Sequence, residues 1–310
     1  MGRKEGGSLF HQLISTPELF ENRNRDINGA ALENSYKTKE NYKNWLHRAA
    51  EYYKEKGLRR KSDISAKEVQ EYADSLRESG YSASTVHSYI APLCKAVGVS
   101  MDAIQKDIRY ASEYRKGASE AVDGGLPGAL NAFLGIRRSE LLRLHGNDII
   151  NGPHGEMYVC IDKGKGGKKQ LQKILPPHCE AVERCFDGHS ERLFYRRDLT
   201  KANYHAQRRH MAQEALLYYS ERLKNEPAYR KELYNEIAQM WHHLNKKNRE
   251  KLEPLSYFSR PYHLRGKNRE LAVTQGKAVT LDRLAVRAVS VLHLAHWRDN
   301  ITIQSYYFDR

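Results

Sequence analysis

Met157-Tyr158-Val159-Cys160-Ile161, then Lys163-Gly164-Lys165-Gly166-Gly167-Lys168-Lys169, then Leu171 to Leu175, decides the fold class. The first and last runs have strand character and the middle one is a Gly-rich turn, so the stretch reads as a β-hairpin. Pro176-Pro177 closes it. On either side the apolar residues fall at helical spacing instead. Ala129 to Phe133 and Ser139 to Leu144 read as helix, and Leu281 to His293 as a compact apolar helix. Residues 201–253 are long, charged and Tyr-rich, with Ala212, Ala215, Leu216, Tyr219 and Leu223 on one stripe. The expected fold is mostly α with a small antiparallel β-sheet.

Further out, the N-terminal third is a helical bundle. Leu9 to Ile14 suggest one short helix. Tyr42, Leu46, Ala49 and Tyr53 share a helical face that ends near Gly57. Ser65-Ala66-Lys67-Glu68 is a capping box, because hydroxyl and carboxylate can each satisfy a free amide of a helix start. Val69, Tyr72, Ala73 and Leu76 follow, with Gly80 as the stop. Ser84 is placed as the cap of a third helix carrying Val86, Tyr89, Ile90, Leu93 and Val97 up to Gly98, and Ser100 as the cap of a short fourth piece. Tyr110 to Gly125 is polar or small and reads as a linker. The expected division is a helical domain over 1–108, a linker over 109–125 and a second domain over 126–310, with a helical insertion at about 201–253.

Lys plus Arg number 52 and Asp plus Glu 38, a formal charge of +14. Residues 1–105 hold 16 basic and 14 acidic side chains, so most of the excess lies in the second domain. A basic surface of that kind suits a phosphate backbone. No apolar run is long enough to span a bilayer and none at the start resembles a secretory leader, so a cytoplasmic, nucleoid-associated location is expected. Four scattered cysteines do not make a disulfide scaffold. The nearest His and Cys groups, His178-Cys179 with Cys185 and His242-His243, lack structural-zinc spacing.

Four pieces follow one another in the second domain: Leu134-Gly135-Ile136-Arg137-Arg138-Ser139-Glu140-Leu141-Leu142, the basic hairpin tip centred on Lys165, Tyr262-His263-Leu264-Arg265, and Leu294-Ala295-His296-Trp297 with Tyr306 beyond it. In this order and spacing the chain resembles the tyrosine recombinases, the phage integrase family. That family's catalytic domain carries an Arg in a "GLRxSEL" turn, a Lys on a β-hairpin, an "HxLR" box, a "GH" box and a Tyr nucleophile about nine residues later. A helical core-binding domain precedes it, so the resemblance spans essentially the whole chain.

The resemblance implies site-specific cleavage and rejoining of double-stranded DNA through a 3′-phosphotyrosyl intermediate, as in integration or recombination by mobile elements. It implies that Arg137 and Arg265 grip the scissile phosphate, that Lys165 is the general acid, that His296 hydrogen-bonds the phosphate and that Tyr306 is the nucleophile. It also implies a homotetramer on two DNA sites, with an accessory DNA-bending factor possible. The residue types suit the chemistry: a phenolate attacks phosphorus and later leaves, guanidinium forks meet the charge on the non-bridging oxygens, and an ammonium protonates the departing oxygen. No metal and no nucleotide cofactor is required.

Three features depart from the family's pattern. Tyr262 stands where the box has His, which puts that residue's part in proton transfer in question. His296 to Tyr306 is one residue longer than usual, with Tyr307 as the alternative nucleophile. Only four residues follow Tyr306, so a C-terminal contact with a neighbouring subunit is expected to be short. Lys163 is the alternative to Lys165. Arg208-Arg209 and Lys246-Lys247 are read as surface charges open to DNA. A topoisomerase of type IB, a telomere resolvase and a non-catalytic DNA-binding relative are the competing readings.

Overall fold

A computed structural model describes residues 7–25, 31–107, 124–164, 169–199, 202–244, 251–296 and 298–309. The chain divides into two compact units, Met1–Arg109 and Tyr110–Arg310. The fold is mostly helical with small antiparallel sheets.

In the first unit, α1 (Leu9–Ile14) precedes an antiparallel ribbon of β1 (Glu21–Arg25) and β2 (Ala31–Glu33), then α2 (Tyr36–Glu55), α3 (Ala66–Glu78) and α4 (Ala83–Val97). The ribbon has no counterpart in the sequence reading, because its polar Glu-Asn-Arg-Asn-Arg run lacks alternation. Ser35 caps α2, and the Ser65–Glu68 capping box opens α3 with both reciprocal bonds formed. The cap of α4 is Ser82, not Ser84, its hydroxyl accepting from the Thr85 amide. Leu13, Leu19, Leu46, Ala49, Val69, Ala73 and Leu93 form the centre of the core, wholly shut off from solvent.

The second unit begins with α5 (Gly125–Leu134) and α6 (Arg138–Leu141). A three-stranded meander follows: β3 (Ile149–Asn151), β4 (Met157–Ile161) and β5 (Gln170–Lys173). Val159 lies opposite both Ile149 and Gln172. Then come α7 (Cys179–Glu183), the long pair α8 (Tyr204–Asn225) and α9 (Tyr229–Leu244), and α10 (Leu255–Phe258). β6 (Tyr262–His263) pairs with β7 (Thr280–Leu281) across α11 (Gly266–Thr274), and α12 (Arg283–Ala288) and α13 (Asp299–Thr302) complete the unit. No helix of the described residues is long and apolar enough to cross a membrane.

Three expectations change here. α8 and α9 do not lie over the core; they contribute to it. Ala215, Tyr219, Leu233 and Ile237 are fully buried in one cluster with Leu284, Val286 and Phe308. The helix expected over Leu281 to His293 starts as β7, continues as α12 and ends in a π-helical turn, Val289–His293. A second π turn, Ile303–Tyr307, continues α13. Of the linker expected over 109–125, only Gly124 and Gly125 are among the described residues, and Gly125 opens α5.

Two buried polar networks join these elements. Arg287 bonds Asp299 through Nε (2.8 Å) and Nη2 (3.1 Å) and Glu253 through Nη1 (2.9 Å). Beside it the Ser290 and Thr302 hydroxyls lie 2.6 Å apart, so α12 is fastened to α13 by several directional bonds. His293, 1% exposed, meets the Tyr219 hydroxyl at 2.9 Å.

Gly98 has φ +74° and nothing within 4 Å of a built Cβ, so Gly98→Ala isolates backbone strain. It should cost about 1–2 kcal/mol in denaturant unfolding. Burial pulls His293 down to about 3, whereas the unfolded chain takes up that proton near pH 6.5. The folded value is the lower one, so stability is lost as pH falls from about 6.5 towards 3. His293→Gln should flatten that loss by up to about 1.4 kcal/mol per pH unit, measured by urea unfolding at pH 7 and pH 5. Parallel slopes for the two proteins would contradict it.

Candidate active site

Tyr306 is 7% exposed, and its ring meets two histidines and an arginine. The His205 ring centroid lies 5.6 Å away and that of His296 6.0 Å away. The Arg208 guanidinium carbon stands 5.7 Å from the ring centre, and its Nε donates to the Tyr306 hydroxyl at 3.2 Å. His205 and Arg208 are three residues apart near the start of α8, hence on one face. Asn203 caps that helix through the Ala206 amide.

Arg208 is 1% exposed, the largest of the fully buried side chains. Its Nη1 donates to the Gly135 carbonyl at 2.5 Å and its Nη2 to the Leu294 carbonyl at 2.8 Å. Gly135 is two residues before Arg137 and Leu294 two before His296, so one guanidinium pins the turns that carry both residues. Among the described residues it has no carboxylate partner. Burial pulls its pKa down, and the nearby Arg137 charge does the same. The Glu140 charge and the Tyr306 hydroxyl act in the opposite sense.

Arg137 caps α6 and is oriented by Glu140, itself 1% exposed. Arg137 Nη1 meets Glu140 Oε1 at 2.6 Å, and the Arg137 amide meets Oε2 at 2.8 Å. Gln170, the first residue of β5, donates to the same carboxylate at 3.3 Å. A Cβ on Gly164 would lie 2.7 Å from Gln170 Cδ, so the described ends of the hairpin loop pack together beside Glu140. Lys165 lies outside the described residues, and Lys163 is exposed.

The turn before Arg137 requires glycine. Gly135 has φ +59°, and a Cβ there would meet Met211 Cε at 2.4 Å and Met211 Cβ at 3.1 Å. The absent side chain lets α8 approach closely enough for Arg208 to reach Gly135. Ala295, before His296, has φ +47°, the one non-glycine at positive φ among the described residues.

The structure therefore brings Arg137, His296 and Tyr306 together and adds His205 and Arg208. It does not bring in Tyr262 or Arg265. Tyr262 pairs with Leu281 across the β6–β7 ribbon, and the Arg283 guanidinium covers its ring at 5.2 Å. Burial and the Asp299 charge raise its pKa. Arg265 begins α11 with an exposed side chain that makes no capping bond. Arg208 and Arg209 (1% and 6% exposed) are not the surface charges expected, and Lys246-Lys247 lie outside the described residues. The sequence carried a signal for the added pair: His205-Ala206-Gln207-Arg208 has His and Arg at the spacing of the "HxLR" box, with Gln in place of Leu.

Tyr307 faces elsewhere. Its hydroxyl donates to the Ala278 carbonyl at 2.7 Å, and Lys277 lies 5.5 Å from its ring centre. Tyr307 and Asp309 bond back to their own unit: Gln213 Nε2 donates to the Tyr307 carbonyl and to Asp309 Oδ1, each at 3.0 Å, and Lys277 pairs with Asp309 at 3.1 Å.

No curated protein matches the chain. Residues 31–95 match the family model of the phage integrase N-terminal SAM-like domain, which supports the tyrosine recombinase family and DNA binding for this chain.

Proposed function

We propose that the second unit is the catalytic domain of a site-specific DNA recombinase, working through a 3′-phosphotyrosyl intermediate with Tyr306 as nucleophile. The observation that carries this is the buried Arg208 guanidinium, bonded to the Tyr306 hydroxyl and, among the described residues, to no carboxylate, with the Arg137–Glu140 pair alongside. In this reading Arg208 and His205, rather than Arg265 and Tyr262, supply the second arginine box. Arg137 and Arg208 grip the non-bridging oxygens of the scissile phosphate. The Tyr306 oxygen bonds to phosphorus, the bond from phosphorus to the 5′ oxygen breaks, and the phenolic proton passes to His205. Lys165 protonates the departing 5′ oxygen, and His296 hydrogen-bonds the phosphate. The reverse steps, with a different 5′ hydroxyl, rejoin strands. Four subunits acting on two DNA sites would turn strand transfer into recombination.

The assay is covalent trapping on a pool of nicked duplexes with a randomised segment. Wild type should yield a protein–DNA adduct that peptide mapping places on Tyr306. Tyr306→Phe should yield none while binding DNA as before, and Tyr307→Phe should still react. Adduct on Tyr307 would move the nucleophile by one residue; no adduct from the wild type at all would leave a DNA-binding protein without this chemistry.

The two arginine assignments separate cleanly. Arg208→Lys keeps the charge but loses the fork, and should slow adduct formation by on the order of 100-fold or more. Arg265→Ala should stay within about threefold of wild type, the scale of an exposed side chain without a charge role. The opposite ranking, in variants of unchanged melting temperature, would restore Arg265 to the site.

A further inference from the structure

We infer that Asn131 is a positioning residue that sets the distance between the two phosphate-gripping arginines, an inference that rests on the catalytic reading above. Asn131 lies in the last turn of α5 and is completely buried. Its Oδ1 accepts from the Ile136 amide at 3.0 Å, and its Nδ2 donates to Gln207 Oε1 at 3.0 Å. Ile136 immediately precedes Arg137, and Gln207 immediately precedes Arg208. One side-chain amide thus bonds to the neighbour of each arginine. The Asn131 carbonyl also accepts from the Gly135 amide at 2.7 Å, which fixes the same turn.

The surroundings make a purely stabilising role a poor explanation. Leu130, Leu134 and Ile136 are buried around this amide, and a polar pair there must be desolvated, whereas an apolar pair would fill the space without that penalty. Directional bonds give something packing does not, a fixed separation. Asn131 on α5 bonds Gln207 on α8 and the amide before Arg137, so it ties the two elements that carry the arginines. Gln207 supplies the acceptor at the position where the family's box carries Leu, a side chain unable to accept from Asn131.

Gln207→Leu tests the tie without touching either arginine. On nicked duplexes that wild type converts to adduct, the single-turnover rate at saturating DNA should fall by about 10- to 100-fold, the scale for ångström-level misplacement of reacting groups. The dissociation constant should stay within about twofold, because the surface phosphate contacts that supply most of the affinity are untouched. Gln207→Glu keeps an acceptor for Asn131 Nδ2 and should recover most of the rate, a rescue that a general loss of stability would not show. If Gln207→Leu unfolds, the double variant Asn131→Leu/Gln207→Leu, apolar on both sides, carries the same expectation. A wild-type rate in either Leu variant, or a parallel loss of affinity and rate, overturns the inference. No adduct from the wild type overturns the catalytic reading and this inference with it, so the two failures are distinguishable.

Discussion

The contrast between Arg208 and Arg287, two of the three buried arginines among the described residues of the second unit, organises the surroundings of Tyr306. Arg287 is neutralised by Asp299 and Glu253, and stacks against Trp241 and Phe258. Its charge is matched within the protein, so it works as a fastener between α12 and α13. Arg208 has carbonyls and a phenol for bonded partners, and among the described residues Glu140 acts on its charge only from a distance. An unmatched buried cation is expensive to maintain. A protein that matches one such charge so fully a short distance along the same core, and leaves the other open, has a use for the open one, and a phosphate in the site would match it.

Holding that charge in place recruits much of the unit. Gly135 must lack a side chain for α8 to come close, and Met211 occupies the space gained. Asn131 and Gln207 link the ends of α5 and α8. The Arg287 network then holds the start of α13, so that the π turn behind it presents Tyr306 to Arg208 rather than to solvent.

Helical periodicity made most of the first unit readable, and the Ser65–Glu68 capping box marked the start of α3. In the second unit the strands of the hairpin and the residues proposed for the site, Arg137, His296 and Tyr306, each sit in a short local pattern. The second arginine of the proposed site does not stand out, because two segments carry similar spacing and the choice between them depends on tertiary contact. Tyr262-His263-Leu264-Arg265 and His205-Ala206-Gln207-Arg208 each match two of the motif's three fixed letters, but the strand of the first pairs with β7 and its arginine stays exposed. His205 and Arg208 sit in a stretch whose charge suggests an outer face. The charge misleads: α8 buries Arg208 by bonding it to carbonyls that only the folded chain brings together.

The spacing between His296 and Tyr306 shows how the extra residue is absorbed. An uninterrupted α-helix with one residue added would rotate everything beyond it by about 100°, carrying Tyr306 off the face that meets Arg208. A π turn closes its bonds over five residues instead of four and takes up one residue without changing direction. The turn Ile303–Tyr307 lies inside this interval and ends one residue past Tyr306. Tyr306 lies within that turn and meets Arg208 and both histidines, while Tyr307 turns to Ala278. Thr302, one turn of α-helix earlier by simple counting, bonds Ser290 in the fastening network instead of sharing the face of Tyr306. The π geometry takes up the longer spacing and leaves Tyr306 bonded to the Arg208 guanidinium.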